Sequence, residues 1–447
     1  MDKKSLYLNK KTFLFSLFVI LCLQFTDLKI VNVKISEICL IILSPFLFVS
    51  AIKLPKYIFW FLGFFILLLS KTLVQNFFTT FYINAALPLL KQPYILNVSR
   101  FAELYCCVIF SFLVAFYFKK MSGPKVLQLL EFTLKIQIYV LGLFFCCLYF
   151  LYRVRILSLV GENGFLVYDS TPAAGEVSFR LRGFFNEGGP FGLFYAYLFI
   201  VYDWVLMRRK RSDLIGKLLI VFIIVLAASK AGYSLIIIFL AFKAYNLSNK
   251  SRYAIILKKV VLPIVFAGAF FLLYMVASVY IERSDYIKQV GIDLKSSDAT
   301  DPNSVMGRVS GMTIAPNIIQ HNYAIGIGLG NYPLVRNNPL YRAYFPEVSV
   351  DNWDSAGLGG LVDLVMDGGF LFFSLFLFIF YKLYKQVKKT DKGLYPLLAS
   401  FILPFFFGVQ LYFLYPWFSL GLIIFFLQKR NMPELTGNPG IEKVVTP

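Results

Sequence analysis

Acidic residues and histidines are scarce in this chain. Its 447 residues hold 24 Asp and Glu against 44 Lys and Arg, with a single histidine, His321. One histidine excludes a metal centre built on a histidine cluster. There is no Asp-x-Asp motif of the kind that holds a metal and a nucleotide sugar, and no Gly-x4-Gly-Lys-Ser/Thr phosphate loop. Chemistry driven by a metal or by ATP is therefore not expected, and no cofactor is expected. The six cysteines, Cys22, Cys39, Cys106, Cys107, Cys146 and Cys147, all fall inside apolar runs. None has metal-ligand spacing, and none sits in a polar loop where a disulfide would be useful, so they read as small packing residues. No internal repeat suggests two inverted transporter halves. The first apolar run lacks a small-residue cleavage site and reads as a retained helix.

What the chain has in abundance is apolar surface: 59% of residues are hydrophobic and 50 are Phe. Apolar runs of about 17–25 residues recur, each long enough to cross a hydrocarbon core as a helix. The expected fold is an all-α polytopic membrane protein of about twelve spans. These are Thr12–Thr26, Glu37–Ile52, Tyr57–Leu73, Phe101–Phe118, Phe132–Tyr152 and Gly188–Met207, followed by Leu214–Ala228, Ala231–Asn246, Val260–Ile281, Gly357–Tyr381, Leu394–Val409 and Tyr412–Leu427. A formal charge of +20 would suggest nucleic acid in a soluble chain. Here Lys and Arg cluster in alternate loops, as in Arg208-Arg209-Lys210-Arg211, which is the positive-inside pattern. It implies cytoplasmic termini, the lipid bilayer as surroundings and no nucleic-acid partner. Residues 1–430 are expected to be one membrane domain, with outer loops at about 153–187 and 282–356 and a disordered tail at 431–447.

The interval 282–356 is the one long polar stretch, with eight acidic and six basic residues. A connector of this length is uncommon unless it has a task. Its Arg, carboxylates, Tyr and Gly suit either a surface for a polar, sugar- or phosphate-bearing ligand or an ordered cap over the helix ends.

On this topology three segments supply cations at one depth: Arg180 and Arg182 before span six, Lys230 between spans seven and eight, and Arg308 in the long loop. Arginine grips phosphate oxygens in a bidentate fork and lysine acts as a point charge, which is what a lipid diphosphate needs. If the diphosphate leaves, the same cations stabilise its growing charge. The alternative is that they only snorkel to lipid headgroups. Asp363 and Asp367 lie four residues apart on one face of span ten. A carboxylate in hydrocarbon costs about 3 kcal/mol, so they have either a functional or a pairing role. Asp354 and Glu187 are the more accessible candidate bases, and His321 is a further candidate or a helix-end packing residue. Tyr323, Tyr332, Tyr344 and Trp353 offer sugar-stacking faces or membrane anchors.

Three ordered blocks carry a family resemblance. They are Arg182-Gly183-Phe184-Phe185-Asn186, Ser229-Lys230-Ala231-Gly232, and Gly307-Arg308 followed by Gly326-Ile327-Gly328-Leu329-Gly330-Asn331-Tyr332. With Asp354-Ser355 ahead of Gly368-Gly369, they resemble the O-antigen polymerase and ligase superfamily, nearer to the Wzy-type polymerases. The likeness covers about residues 180–380. It implies a multi-span, GT-C-like glycosyltransferase of the bacterial inner membrane, metal-independent, with undecaprenyl diphosphate as leaving group at the periplasmic face. Donor and acceptor would both be undecaprenyl-diphosphate-linked oligosaccharides, and a chain-length regulator and a flippase of the same pathway would be partners. By position Arg182, Lys230 and Arg308 would hold the diphosphate. The ligases usually have a His-Asn pair before the span matching span ten, where this chain has Asp351-Asn352-Trp353-Asp354. That departure favours polymerase over ligase. A lipid-linked oligosaccharide flippase is the reading from another class.

Overall fold

The computed structural model describes residues 10–24, 29–30, 33–34, 36–38, 40–42, 55–83, 87, 89–119, 121–153, 168–173, 176–185, 188–246, 308–342, 347, 350, 356–430. Span nine, Glu187, Tyr344, Trp353, Asp354 and the tail lie outside the described residues.

The chain is a predominantly helical membrane protein. Among the described residues five helices are long and apolar enough to cross a membrane. They are α2 (Lys56–Asn76), α3 (Pro93–Phe118), α4 (Gly123–Arg153, with a π-helical turn at Ile136–Leu141), α5 (Gly188–Arg208) and α11 (Gly360–Thr390). Shorter apolar helices are α1 (Lys10–Gln24), α6 (Leu214–Leu226), α7 (Lys230–Asn246), α12 (Tyr395–Ile402) and α13 (Leu414–Arg430). Between α7 and α11 lie α8 (Arg308–His321), α9 (Tyr332–Val335) and α10 (Pro339–Arg342). Two small antiparallel hairpins were not expected: β1–β2 (Lys29–Ile30 and Val33–Lys34) and β3–β4 (Tyr168–Ala173 and Glu176–Leu181).

Helix α5 is the centre of the bundle, buried along nearly its whole length. It approaches α7 closely because glycine meets glycine there: a Cβ on Gly232 would stand 2.8 Å from the Gly192 carbonyl oxygen. Small residues at a crossing let membrane helices come this near. Helices α3 and α13 use the same device at Gly421, beside the Ser111 carbonyl. Hydroxyls then stitch the interior together. Ser111 Oγ donates to the Trp417 carbonyl at 2.7 Å, and Ser419 lies 2.8 Å from Ser400 and 2.9 Å from the Tyr197 hydroxyl. Around them pack the rings of Phe61, Phe401 and Trp417, with centroids 5.3–5.5 Å apart at the tryptophan.

One end of the bundle is basic. There Arg208 pairs with Asp391 at 2.6 Å, and the buried Glu131 binds Arg209 and, at 2.9 Å, Lys135. Because Arg208 closes α5 and Asp391 follows α11, both helices start toward the opposite end. Helix α2 runs antiparallel to α11, with the Tyr57 hydroxyl donating to the Lys382 carbonyl at 3.2 Å, so its C-terminal turns reach that opposite end too.

Candidate functional site

The opposite end is organised by a break in α11. At Gly369 the backbone turns to φ 65°, ψ −175°, which interrupts the helical ladder. Backbone groups freed within a membrane helix must find partners inside the protein. Here the loop after α8 supplies them. Ile327 and Gly328 donate to the carbonyls of Met366 and Asp367 at 2.7 and 2.9 Å, while Phe370 and Leu371 donate to those of Tyr323 and Ala324 at 2.8 and 3.2 Å. The two segments touch backbone to backbone, which only glycine permits at the crossing. A Cβ on Gly326 would stand 2.4 Å from the Met366 oxygen, and one on Gly369 would stand 2.4 Å from the Ala324 carbonyl.

Side chains from α2 and α3 clamp this loop. Asn331 lies in a buried ring of three amides: Asn76 donates to Asn97 at 2.6 Å, Asn97 to Asn331 at 2.8 Å, and Asn331 to Asn76 at 2.9 Å. Asn97 also donates to the Leu329 carbonyl at 2.5 Å, Thr72 Oγ1 accepts from the Leu329 amide at 2.8 Å, and Gln75 donates to the Gly326 carbonyl at 2.8 Å. The run Gly326–Tyr332 is thus held inside the bundle as part of its scaffold.

Two cavities flank the crossing. A cavity of about 50 Å³ is lined by Arg100, Asp363, Asp367, Tyr332, Gln410 and Tyr412. Asp367 Oδ2 accepts weakly from the Gly330 amide at 3.4 Å, whereas both Asp363 carboxylate oxygens are buried without a hydrogen bond. Beside it Arg100 pairs with Glu103 at 2.7 Å, Lys34 with Glu37 at 3.1 Å and Glu103 at 3.5 Å, and both cations lie over the Tyr412 ring. The second cavity is a cleft of about 1060 Å³ between α2, α11 and the α8–α10 segment. Its far part is apolar, with Leu67 and Leu371 about three-fifths exposed along the rim. Its near part is polar, lined by Lys71, Gln75, Asn322, Asn338 and Tyr341. Lys71 Nζ donates to the Asp367 carbonyl at 2.9 Å, and the Tyr341 hydroxyl accepts from Asn322 at 2.8 Å.

The expected cation-bearing segments are partly gathered at this end. The chain after β4 folds over the turn between α6 and α7: a Cβ on Gly188 would meet Arg180 Cβ at 3.0 Å, the Leu181 carbonyl at 3.1 Å and the Ala227 carbonyl at 2.9 Å. Ser229 Oγ donates to the Gly189 carbonyl at 2.8 Å, and Lys230, exposed, opens α7. Arg180 and Arg182, both half-buried, therefore share one neighbourhood with Lys230. Arg308 opens α8, whose Gly311 abuts the Ala356 carbonyl ahead of α11.

The remaining expected residues are spread around the same end. His321 is exposed at the end of α8; its Nδ1 lies 2.8 Å from the Asn317 carbonyl, which can only accept, so in the neutral ring Nδ1 donates and Nε2 is left as the acceptor. Tyr323 is 63% exposed. Tyr332 is 3% exposed. Burial pushes its phenol up to about 12 against the opposing Arg336, whose guanidinium is 5.7 Å from the ring centre. Asp363 lines the small cavity. Sequence reasoning passed over Lys71, Gln75, Asn76, Asn97, Arg100 and Tyr412. The available signal was a polar residue at the end of an apolar run, which within a membrane marks a pairing or functional position.

Comparison with known proteins identifies nothing: no family model, no curated protein and no solved structure matches this chain.

Proposed function

We propose that this protein is a surface-polysaccharide polymerase of the O-antigen polymerase type, joining oligosaccharide repeat units carried on undecaprenyl diphosphate. In this reading it crosses the bacterial inner membrane twelve times with both termini in the cytoplasm. The basic end of the bundle faces the cytoplasm, and the end bearing the α11 break faces the periplasm. The observation that carries the reading is the meeting of Arg180 and Arg182 with the Lys230 turn at one end of a membrane bundle. Fixed cations at that depth suit the diphosphate of a lipid carrier.

In the reaction, a hydroxyl oxygen of the acceptor sugar attacks the anomeric carbon of the donor. The bond from that carbon to the diphosphate oxygen breaks, and its electron pair leaves with undecaprenyl diphosphate. Arg182 and Lys230, with Arg308, stabilise that charge as it develops. The hydroxyl proton needs an acceptor. His321 Nε2 is an accessible candidate, and Asp354 stands as the alternative. Exposed Tyr323 offers a ring face to a sugar.

The test uses purified protein with undecaprenyl-diphosphate repeat units alone, read as a product ladder on a gel. A ladder formed without metal or nucleotide and lost in Arg182→Ala and Lys230→Ala is the expected result. Polymer appearing only on added lipid A core identifies a ligase instead. Labelled lipid crossing liposome bilayers with no new glycosidic bond identifies a flippase, and the enzyme reading fails.

A further inference from the structure

We propose that the cleft between α2 and α11 seats a second lipid-linked molecule, a polyprenyl chain bearing an anionic phosphate, with Lys71 as its phosphate contact. The inference rests on the polymerase reading, because joining two carrier-linked units requires two carrier seats. The Arg180–Arg182 and Lys230 neighbourhood belongs to the region of β4 and α5–α7, and none of those elements lines the cleft. The cleft is therefore a site separate from that neighbourhood.

The cleft's shape and chemistry select the occupant. At about 1060 Å³ it lies just above the range of about 300–1,000 Å³ that ordinary small-molecule pockets occupy. It is amphipathic along its length. Leu67, Leu371 and Leu375 form an apolar trough on two membrane-spanning helices, and the exposure of Leu67 and Leu371 shows that the trough opens sideways to the surroundings. At the other end are the hydrogen-bonding groups. A long apolar chain lying against the helices places its polar head there.

The sign of the head follows from the charges. Among the described residues Lys71 is the one charged side chain lining the cleft, and none of those lining it is acidic. Its ammonium makes a single hydrogen bond, to the Asp367 carbonyl, which leaves two N–H groups for a ligand. The Asp367 carboxylate, its nearest countercharge, belongs to the smaller cavity behind the crossing and accepts from the Gly330 amide. Tyr341 accepts from Asn322 and so keeps its own O–H to donate. An ammonium and a hydroxyl donor at the end of an apolar trough match a phosphate on a lipid chain. Because Lys71 is anchored to the carbonyl freed by the α11 break, the crossing fixes the cation in place.

The experiment loads purified protein in nanodiscs of phosphatidylcholine with undecaprenyl phosphate and counts bound lipid by native mass spectrometry. Wild type, Lys71→Met, Leu371→Trp and Arg182→Ala are compared, with phosphatidylglycerol as competitor. Leu371 is on an exposed rim, so tryptophan there fills the trough without entering the core. Wild type is expected to bind two undecaprenyl phosphates. Lys71→Met should weaken one of them by about tenfold, as expected for the loss of a charge-assisted contact, and Leu371→Trp should abolish that same one. Arg182→Ala should lose the other.

Two bound lipids in both cleft variants would overturn the assignment. So would displacement by phosphatidylglycerol at equal concentration, which would make the cleft a general lipid groove. The two readings fail separately. A full polymer ladder from Leu371→Trp protein overturns the cleft assignment and leaves the polymerase. Lys71-dependent binding in a protein that makes no ladder overturns the polymerase and leaves a polyprenyl-phosphate seat.

Discussion

Replacing Gly326 with alanine tests the threaded loop most directly. The residue has φ +68°, and a Cβ there would stand 2.4 Å from the Met366 oxygen and 2.5 Å from the Gly369 nitrogen. Both are main-chain atoms of a membrane helix, so neither swings aside as a side chain would. The left-handed backbone alone costs an L-residue about 1–2 kcal/mol. Relieving the contact means pushing the loop out of the break, which threatens the four main-chain hydrogen bonds made by Ile327, Gly328, Phe370 and Leu371. A buried polar group left unpaired costs about 1–3 kcal/mol, so losing two of the four bonds gives a total of about 3–8 kcal/mol with the backbone penalty included. That rivals the entire stability of an ordinary domain, about 5–15 kcal/mol. Gly408 supplies the matched control, because its φ is +93° and a Cβ there meets nothing within 4 Å. Alanine at Gly408 pays only the backbone penalty of about 1–2 kcal/mol. Apparent Tm in detergent, read from the monodisperse peak remaining after heating, compares the two. Gly326→Ala should lower it about threefold more than Gly408→Ala, or leave no folded peak. Equal shifts would refute the threading of this loop into α11.

Two further predictions concern the basic end. Asp203 is 1% exposed and is held by Lys217 at 2.5 Å and Lys243 at 2.7 Å. Asp203→Asn leaves two part-exposed lysines facing an uncharged amide and should destabilise by about 1–3 kcal/mol, less than a fully buried pair because water screens the lysines; an unchanged Tm would show that the pair contributes nothing. Asp213 caps α6 through the Gly216 amide and accepts from Tyr139 and Tyr202. Burial alone would raise its carboxyl, but the bonds from Tyr202, Gly216 and Tyr139 outweigh it and hold the group below its usual range. A lowered folded-state value adds stability above the unfolded value of about 3.9, and this is lost as pH falls through the folded value. The Tm gap between wild type and Asp213→Asn should therefore be constant from pH 7 to 5 and close below about pH 4. A gap that closes near neutrality would refute it.

Several spans were legible because hydropathy is additive along a helix. The expected span Gly188–Met207 and the observed α5, Gly188–Arg208, differ by one residue at the basic end. Where polar residues interrupt an apolar run, the ends were missed. Helix α3 begins at Pro93 where Phe101 was expected, because Asn97 and Arg100 break the run but find partners in the fold. Proline at its first turn suits a helix start. Helix α2 likewise extends past Leu73 to Asn76, which the amide ring holds.

The candidate site divides in the same way. Arg180, Arg182 and Lys230 could be grouped from the chain because the expected topology places their loops at one depth, and the structure brings the two segments together. Gly326–Tyr332 belongs to a stretch that the sequence leaves open between a ligand surface and an ordered cap; its glycines are required where two backbones cross, and that depends on Gly369, more than forty residues further along.

What the sequence by itself determined is the apolar helices of a membrane bundle, since apolar length is a local sum that needs no partner. What only the tertiary structure decided is which polar groups meet. The broken α11, the loop that fills it, the Asn76–Asn97–Asn331 ring and the Lys71 cleft each join residues from separate helices. In a medium without water their hydrogen bonds can be completed only by one another, so their meaning does not exist until the helices have packed.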